Sequence, residues 1–397
     1  MVAFHSLSFE DQKVIFRVDF NVPLNDKLEV TDDTRIRKAI AGIQYALDKG
    51  AAVILMSHLG RPKGERQDKY SLEHVIPALS LMLKRPIQFA ADCIGIQTEH
   101  QVDALRAGEI LLLENLRFHK EEKTGDEDFA KALASLGVSI YVNDAFGTAH
   151  RAHASTSIIA KFFPEGRAVL GPLMQTEVDN AYKVLHGFKR PFTAVLGGAK
   201  VSDKVLVIDS LLQKVDQLII GGAMAYTFLK AQGVETGNSL VEDDRLDQAK
   251  EIMEQAEKLG VALMLPIDSQ MATSFDNDAE KVTTIDQNIK ENWMGLDIGP
   301  KSIALFDQAI QKSKTILWNG PMGVFEMSNF QLGTKSIAES VALATQAGAY
   351  SLVGGGDSVA AINKFDLASQ ISFVSTGGGA LLTYFEGKTL PGLQFIK

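Results

Sequence analysis

Residues 352–360, near the C-terminus, combine three glycines with a carboxylate in a pattern that can hold a phosphate. The apolar residues before the glycines are typical of a buried strand ending at Val353, and those after them of a helix running to about Phe365. Glycines let the backbone approach a ligand closely, and the free N–H groups and dipole of a helix N-terminus attract phosphate. Asp357 would repel a phosphate unless a divalent cation lay between them. The stretch therefore predicts a magnesium–nucleotide phosphate site, although an ordinary tight strand–helix turn explains it equally well.

Cationic side chains recur after the predicted strands of the first half of the chain. Arginine forks suit phosphate and carboxylate, and each such charge-assisted hydrogen bond contributes roughly 1.5–3 kcal/mol. For a single arginine, an ordinary ion-paired or solvated loop residue is the better explanation, but not for a set at equivalent positions. The histidines of the set could be bases or merely donors. The set, which predicts a basic pocket for a small, multiply anionic ligand, is Arg35, His58, Arg61, Arg117, His150 and Arg151.

In the second half of the chain, glycines take the place of these cations. Close backbone approach at such positions suits a bulky nucleotide. Lys200 directly follows one glycine pair, where it could meet a transferring phosphoryl group as a point charge. Lys204, one helical turn later, is explained at least as well as a solvated lysine. The glycines are Gly197-Gly198, Gly221-Gly222, Gly320, residues 354–356 and residues 377–379.

Three standard nucleotide signatures are missing from the sequence. Leu382 stands where the Walker pattern ending in Gly387-Lys388-Thr389 requires its first glycine. The dinucleotide fingerprint fails because Val359 follows Gly354 and Gly356 at the third glycine position. The H-R-D and D-F-G segments of protein kinases are absent as well. A kinase with this sequence would belong to another class, and a dinucleotide oxidoreductase remains the alternative enzyme.

The elements that must position these residues alternate between short apolar strands and helices. In parallel doubly wound sheets, ligands bind outside the carboxyl ends of the strands, and the polar clusters all follow predicted strands. The sequence therefore predicts an α/β fold of two doubly wound, Rossmann-like parallel-sheet lobes. The predicted strands are 14–18, 51–56, 109–113, 139–142, 192–196, 217–220, 315–318, 350–353 and 371–375, and the predicted helices include 34–49, 71–83 and 126–136.

The alternation breaks at residues 166–172, and a helical pattern over 173–185 precedes its return after Gly187. We therefore expect a first lobe over residues 1–170, a connecting helix and hinge over 171–186, and a second lobe over 187–385.

Composition narrows the class of protein. A chain of 397 residues that is 46% hydrophobic can form two cored domains, and its net charge of −9 argues against binding nucleic acid or an anionic membrane surface. No run approaches the ~20 apolar residues of a membrane span, and no leader pattern is present. Cys93 is the only cysteine, which predicts neither disulfides nor a cysteine zinc cluster, and no ligand pattern predicts a metal in the first half. We expect a cytoplasmic protein that is a monomer by default.

Taken together and in order, the polar segments resemble the phosphoglycerate kinase family over nearly the whole chain. Each segment alone is weak evidence for the family, but the whole set in this order is highly specific for it. The segments are RVDFNVP (17–23), SHLGRP (57–62), ENLRFHKEE (114–122), NDAFGTAHRAH (143–153), GGAK (197–200), WNGPMGVFE (318–326), GGGDS (354–358) and STGGG (375–379).

This resemblance implies reversible phosphoryl transfer between ATP and the carboxylate of 3-phosphoglycerate, with ADP and 1,3-bisphosphoglycerate as the other pair, in glycolysis or gluconeogenesis. It assigns the glycerate to Asp19, Asn21, Arg35, His58, Leu59, Gly60, Arg61, Arg117, His150 and Arg151. It assigns the nucleotide to Lys200, Lys204, Gly221, Gly222, Gly295, Asn319, Glu326, Gly355, Gly356, Asp357 and Ser358, with Asp357 also on Mg²⁺. Similar proteins return their last residues to the first lobe, so residues 386–397 are expected there.

A carboxylate acceptor is already ionised near pH 7, because unperturbed carboxyl pKa values lie near ~4. Such a reaction needs fixed positive charge and positioning rather than a general base. We therefore expect Arg35 and Lys200 to flank the transferring group. The helix N-termini at Gly356 and Gly378 are expected to supply the rest of the positive charge. The alternative from another class is a two-lobed protein that closes on an anionic ligand without turnover.

Overall fold

The structure is a computed structural model that describes residues 2–396. The chain divides into two compact units. Unit 1 comprises Met1–Asp179 and Thr389–Lys397, and unit 2 comprises Asn180–Lys388. Residues 386–388, expected with the first lobe, thus belong to unit 2, and Lys397 lies outside the described residues.

Unit 1 is built on a six-stranded parallel sheet in the order β3-β4-β2-β1-β5-β6. Its central strands are buried almost throughout because helices cover a parallel sheet on both faces. The strands are β1 (Lys13–Arg17), β2 (Ala52–Met56), β3 (Gln88–Ala90), β4 (Ile110–Leu113), β5 (Ile140–Asn143) and β6 (Ala168–Leu170). The helices are α1 (Thr34–Asp48), α2 (Ile76–Leu83), α3 (Ile96–Ala104), α4 (Lys120–Thr124) and α5 (Glu127–Ala134).

The C-terminal segment is held in unit 1 by hydrogen bonds to the end of β5 and to the loops that follow it. The Gly392 amide donates to the Ala149 carbonyl at 2.8 Å, and Asn143 Nδ2 donates to the Gly392 carbonyl at 3.2 Å. The Ser157 hydroxyl donates to the Pro391 carbonyl at 2.8 Å. These bonds bring the C-terminal segment beside one of the loops that carries predicted site residues.

The boundary between the units falls inside α6 (Pro172–His186), the helix predicted over 173–185. In unit 1 its start is tied to buried Asp144, whose Oδ1 accepts a hydrogen bond from the Met174 amide at 3.0 Å. A side chain at Gly171 would bring its Cβ within 2.3 Å of that carboxyl group. Burial raises the pKa of Asp144 to about 7.

Unit 2 contains a second six-stranded parallel sheet, in the order β15-β14-β13-β7-β8-β9, and a separate three-stranded antiparallel sheet, in the order β11-β10-β12. The strands are β7 (Phe192–Leu196), β8 (Gln217–Ile220), β9 (Ala262–Met264), β10 (Ser269–Ala272), β11 (Lys281–Thr283), β12 (Met294–Ile298), β13 (Thr315–Asn319), β14 (Tyr350–Val353) and β15 (Phe373–Val374). The helices are α7 (Val205–Leu212), α8 (Met224–Ala231), α9 (Leu246–Leu259), α10 (Pro300–Gln311), α11 (Leu332–Gln346), α12 (Gly356–Lys364) and α13 (Gly379–Phe385).

Two parallel sheets with alternating helices confirm the predicted α/β fold class. The interpretation of residues 166–172 as a break in the pattern is wrong, because β6 adds a sixth strand there. A three-residue strand is too short to show an apolar run, which also explains why β3 and β9 were not predicted. Within residues 2–396, no helix has the length and apolar character needed to cross a bilayer.

Candidate active site

The cations predicted in the first half follow β1, β2, β4 and β5, so they gather at the carboxyl edge of the sheet of unit 1. The backbone of Gly60, in the loop after β2, joins three of these loops. Its amide donates to Asn21 Oδ1 at 2.8 Å, and its carbonyl accepts from Arg117 Nη1 at 2.8 Å. Glycine is required here because φ is +64° and an added Cβ would lie 2.3 Å from the Tyr70 ring. Asn21, Gly60 and Arg117 thus form one hydrogen-bonded group.

Arg35 reaches the same edge from the first turn of α1. Its Nη1 donates to the Asn21 carbonyl at 2.8 Å and lies 3.3 Å from Asp19 Oδ2. Asp19 and Asn21 therefore hold the guanidinium group in place. The Arg35 side chain is 40% exposed, and a guanidinium has five N–H donors, so it can also donate to a ligand.

A cavity of about 740 Å³, which we call the basic cavity, opens among the cations of unit 1. Three of the predicted site residues line it, namely Arg61, Arg117 and Arg151. Burial and the like charges of Arg17 and Arg151 lower the pKa of Arg117 to about 10, which leaves it cationic at pH 7. An anion in the cavity would relieve this repulsion.

Sequence reasoning missed three further cations that line this cavity, Lys63, Lys120 and Lys123. Lys120 and Lys123 are three residues apart on α4 and so lie on one face of that helix. That spacing is the signal that could have identified them. They extend the positive charge of the cavity beyond the arginines.

A fully buried arginine, Arg17, determines the protonation state of His58. Arg17 Nη2 lies 3.3 Å from His58 Nδ1, and a guanidinium can only donate. Burial and the nearby charge of Arg17 lower the pKa of His58 well below its usual value. His58 is therefore neutral, with Nδ1 accepting from Arg17 and the ring proton on Nε2. It can donate a hydrogen bond but contributes no charge.

The carboxylate of Glu122 balances the charge of Arg17, to which it is linked through the Ser155 hydroxyl. Arg17 Nε donates to the Ser155 hydroxyl at 3.0 Å, and that hydroxyl donates to buried Glu122 Oε1 at 2.7 Å. Sequence reasoning gave Arg17 no role because it lies inside β1. The structure makes it the group that orients His58.

The other seven predicted residues of this unit do not line the cavity, and two of them, Leu59 and His150, also take no part in the contacts described above. Leu59 is buried, and its carbonyl accepts from Asn115 Nδ2 at 2.7 Å, so its contribution is structural. His150 is half-buried, and burial with the neighbouring charge of Arg151 lowers its pKa, which favours the neutral ring.

In unit 2, the predicted glycines converge at the carboxyl ends of β7, β13 and β14. Two helices begin there, α12 after Gly355 and α13 after Gly378, so two sets of free amides face a cavity of about 410 Å³. We call this cavity the glycine cradle. It is lined by Gly197, Gly198, Ala199, Lys200, Asp203, Lys204, Asn319, Gly320, Gly355, Gly356, Asp357, Ser358, Gly378, Gly379 and Leu382.

The glycine cradle leaves no room for side chains at its tightest points. At Gly355 φ is +96°, and an added Cβ would lie 2.7 Å from Asn319 Nδ2. Asn319 Nδ2 donates to the Gly354 carbonyl at 2.8 Å, and the Ser358 hydroxyl accepts from the Gly320 amide. The side chains of Asn319 and Ser358 therefore hold the loops, while backbone groups are left to meet a ligand.

The two lysines of the cradle differ in environment. Lys200 is exposed, and within residues 2–396 it forms no ion pair. Lys204 is half-buried, its Nζ donates to Asn319 Oδ1, and burial lowers its pKa. The interpretation of Lys204 as a solvated lysine is therefore wrong, because it belongs to the wall of the cradle.

A second cavity of unit 2, of about 550 Å³, shares Gly198, Ala199 and Asp357 with the cradle. We call it the apolar cavity. It could hold the flat, largely apolar ring of a nucleobase beside phosphates in the cradle. Its remaining lining residues are Gly222, Ala223, Tyr226, Asn238, Leu240, Phe275, Met294, Gly295, Leu296, Asp297, Pro321, Met322, Gly323, Val324 and Glu326.

The apolar cavity includes Gly222, Gly295 and Glu326 but not Gly221, although all four were predicted to bind nucleotide. An added Cβ at Gly221 would lie 2.4 Å from Met322 Sδ, so this glycine serves close packing beneath the cavity. Sequence reasoning missed the apolar residues because their types are ordinary core types. Only their arrangement around one cavity distinguishes them.

The carboxylates of the cradle fit a magnesium ion that is held partly by phosphate. Asp357 and Asp203 are both exposed and line the cradle. Mg²⁺ commonly takes only one or two carboxylates together with phosphate oxygens and water. Among the described residues, neither carboxylate belongs to a group of three metal-ligating side chains.

The chain is similar to known proteins along nearly its whole length. The family model of phosphoglycerate kinase matches residues 4–388. The phosphoglycerate kinase of Porphyromonas gingivalis is 49% identical, with 98% of each chain covered, and that of Clostridioides difficile is 52% identical, with 97% of this chain and 95% of the relative covered.

Solved structures give the same result. The structure of phosphoglycerate kinase from Coxiella burnetii has a TM-score of 0.89 at 40% identity, covering 99% of this chain and 97% of that one. The crystal structure of the Pyrococcus horikoshii enzyme has a TM-score of 0.85 at 29% identity, covering 100% and 98%. Because the sequence and structure alignments each cover nearly the whole chain, the chain belongs to the phosphoglycerate kinase family.

Proposed function

We propose that this chain catalyses the reversible transfer of a phosphoryl group between ATP and the carboxylate of 3-phosphoglycerate, the glycolytic reaction for which its family is named. The observation that carries this proposal is the pairing of two unlike sites in one chain. Unit 1 offers a cavity lined by guanidinium and ammonium groups, and unit 2 offers a glycine cradle that joins an apolar cavity.

On unit 1, the phosphate and carboxylate of the glycerate match the charges of the cavity. Arg61, Arg117 and Arg151 supply planar forks that bind such groups in a bidentate manner. His58 adds a neutral donor, and Asp19 with Asn21 orients Arg35 towards the reacting carboxylate. Leu59 and His150 support these groups through packing rather than direct charge.

On unit 2, the nucleotide lies across both cavities. The phosphates bind in the glycine cradle against the amides of Gly355, Gly356 and Ser358, and the base enters the apolar cavity beside Gly295. Glu326 lines that cavity and can accept hydrogen bonds from ribose hydroxyls. Lys204 and Asn319 hold the wall of the cradle through their mutual hydrogen bond.

The chemistry requires positive charge around the transferring phosphoryl group rather than proton abstraction. Arg35 supplies this charge from unit 1, and Lys200 supplies it from unit 2, where its side chain is exposed and can reach a ligand. The helix starts at Gly356 and Gly378 add the positive ends of two helix dipoles. Mg²⁺, held by Asp357, would neutralise part of the phosphate charge when bound.

Because the two ligands bind to different units, transfer requires the units to bring them together. The hinge candidates are α6 and the point after Lys388 where the chain returns to unit 1. Closure would also protect the acyl phosphate of 1,3-bisphosphoglycerate from water.

We propose further that the chain works as a cytoplasmic monomer that binds no nucleic acid and no membrane. The net charge of −9 and the single cysteine support this, as does the absence of a membrane-spanning helix among the described residues. The bacterial relatives named above are consistent with the cytoplasm.

The proposal is tested by incubating the purified chain with ATP, Mg²⁺ and 3-phosphoglycerate and measuring ADP and 1,3-bisphosphoglycerate. We expect turnover that stops when Mg²⁺ is chelated and when glycerate without its phosphate replaces the acceptor. A folded chain that binds both ligands by calorimetry but shows no turnover would support the binding-protein alternative instead. Binding of NAD in preference to ATP would favour the oxidoreductase alternative.

A further inference from the structure

Three side chains with different metal-binding atoms meet in unit 1, outside the basic cavity. They are Asp92, Cys93 and His119, and one ligand atom from each lies within 4.8 Å of the others. In the described part of the chain, no other group of three or more histidine, cysteine or acidic side chains is placed to hold a metal. None of the three residues has a role in the proposed reaction.

The topology of the sheet explains why these residues meet. Asp92 and Cys93 lie just beyond the end of β3, and His119 immediately precedes α4, a few residues beyond β4. β3 and β4 are neighbours in register, with Ala90 opposite Leu113, so their following loops lie side by side. Because Asp92 and His119 are 27 positions apart in the sequence, a search for short metal-binding motifs does not find this group.

The three side chains are held in place by their surroundings. His119 Nε2 lies 2.7 Å from Asp92 Oδ1, and the His119 ring stacks on Phe129 with centroids 5.1 Å apart. The loop of Asp92 is anchored on its other side, where Thr98 Oγ1 donates to the Asp92 carbonyl at 3.0 Å and Arg66 Nη1 donates to the Ala91 carbonyl at 2.9 Å. A metal would therefore find its ligands already gathered.

Exposure differs among the three ligands in a way that suits a site open on one side. The Cys93 side chain is fully buried, whereas those of His119 and Asp92 are 26% and 54% exposed. The nitrogen and oxygen ligands are therefore accessible to solvent, and the sulfur lies on the inner side of the site. Glu121 and Glu122 interact electrostatically with His119 and Cys93 respectively, and both would attract a cation.

We propose that Asp92, Cys93 and His119 form a binding site for Zn²⁺ or a similar borderline metal ion, with a water molecule as the fourth ligand. One sulfur, one nitrogen and one oxygen are a ligand set that Zn²⁺ accepts, whereas Mg²⁺ and Ca²⁺ prefer oxygen alone. On binding, the Cys93 thiol loses its proton to solvent, and the metal takes the place of the hydrogen bond between His119 and Asp92. This departs from the sequence-based expectation of no metal in the first half of the chain.

The test uses Co²⁺ as a spectroscopic substitute for Zn²⁺ in the purified, metal-free, full-length chain. Cys93 is the only cysteine, so a thiolate-to-cobalt charge-transfer band in the near ultraviolet reports on a single atom. We expect this band to saturate at one equivalent, together with visible bands of four-coordinate cobalt, and to disappear when Zn²⁺ is added.

Three variants locate the site. Cys93→Ser should remove the near-ultraviolet band, and His119→Gln and Asp92→Asn should each weaken Co²⁺ binding by about tenfold or more. His100→Gln, which changes an exposed histidine in the same unit, is the matched control and should bind as the wild type does. His119 and Asp92 are partly exposed, so their variants test the site even if Cys93→Ser folds poorly. Absence of the thiolate band in the folded wild type, or its full retention in His119→Gln and Asp92→Asn, would overturn the proposal.

Discussion

The two candidate ligand sites of this chain present positive charge in opposite ways. In unit 1 the charge sits on side chains, Arg61, Arg117 and Arg151 with three lysines, around one cavity. In unit 2 most of it sits on the backbone, at the starts of α12 and α13, and glycines clear the space in front of it. A small, highly charged acceptor is best recognised by forks that match each anionic group, whereas a large nucleotide needs room and dipoles.

This difference has an energetic consequence. Burial and the like charges of neighbouring arginines lower the pKa of Arg117, and the buried carboxylate of Glu122 compensates only part of this repulsion. The glycine cradle carries no comparable repulsion, but it depends on backbone conformations that other residues rarely adopt. Unit 1 should therefore be sensitive to loss of charge and unit 2 to gain of a side chain.

The largest effect is expected from Arg35→Ala. This change removes the charge that unit 1 presents to the reacting carboxylate, so kcat should fall on the order of 10²–10³-fold, as for other preorganised electrostatic groups. The KM for ATP should change by less than about threefold, because the proposed nucleotide site lies on unit 2. Steady-state kinetics with ATP and 3-phosphoglycerate measure both.

Arg37→Ala is the matched control for Arg35→Ala, since Arg37 lies on the same helix, is 70% exposed and pairs with Asp33 at 2.8 Å. Its kinetics should match those of the wild type. Unchanged turnover in Arg35→Ala would remove Arg35 from the mechanism.

The next largest effect should come from adding a methyl group to the glycine cradle. Gly355→Ala introduces a Cβ 2.7 Å from Asn319 Nδ2 at a φ of +96°, so nucleotide affinity should drop by about tenfold or more while 3-phosphoglycerate affinity is kept. Both affinities can be measured by calorimetry. The cost of the positive φ alone is about 1–2 kcal/mol of folding free energy.

Gly348→Ala separates this conformational cost from the loss of space. Gly348 also has a φ of +96°, but an added Cβ there meets nothing within 4 Å. The variant should lose stability and keep nucleotide affinity. Equal loss of affinity in both variants would mean that strain, and not occupation of the cradle, impairs binding.

A third prediction concerns which side chains of unit 1 carry charge. His58 and His153 should both stay neutral at pH 7, because burial and nearby arginines lower the pKa of His58 well below its usual value and that of His153 to about 3. Below about pH 6.5 the unfolded chain binds protons at these rings, whereas the folded chain keeps them neutral. The free energy of unfolding should therefore decrease as pH falls below about 6.5, and these rings should not affect it above that pH.

Long-range ¹H–¹⁵N spectra of the imidazole rings check this prediction. The His58 signals should show a neutral ring protonated at Nε2 and should not move between pH 8 and 6. An imidazolium pattern for His58 at pH 7 would contradict the assignment of the charge to arginine and lysine.

The smallest effect is expected at the rim of the basic cavity. Lys120→Ala combined with Lys123→Ala should raise the KM for 3-phosphoglycerate only a few-fold at low salt, and less in ~0.5 M salt, because exposed charges are screened. Lys131→Ala, an exposed lysine on α5, is the control. A rise in KM that does not depend on salt would indicate that these lysines contact the ligand directly.

Sequence reasoning predicted the parts of this molecule that follow from local pattern. Long apolar strands, such as β7 and β14, and the polar residues that follow them were found because strand type and strand end are both local features. The short strand β6 was not, since three residues carry too little periodicity.

Roles that depend on packing were beyond the sequence. Arg17 orients His58 only because both are buried together, and the apolar cavity of unit 2 exists only because residues from distant parts of the sequence surround one space. Gly221 illustrates the converse, since its motif predicted binding while its packing on Met322 gives it a structural role.

The central claim is that phosphoryl transfer depends on a fixed charge from each unit, and Lys200→Ala tests it most directly. The measurement is the rate of ATP-dependent phosphorylation at saturating Mg²⁺, ATP and 3-phosphoglycerate, with Lys258→Ala, an exposed lysine on α9, as control. The account predicts a fall on the order of 10²-fold or more in Lys200→Ala, with 3-phosphoglycerate binding unchanged, and wild-type rates in the control. Wild-type turnover in Lys200→Ala would contradict it.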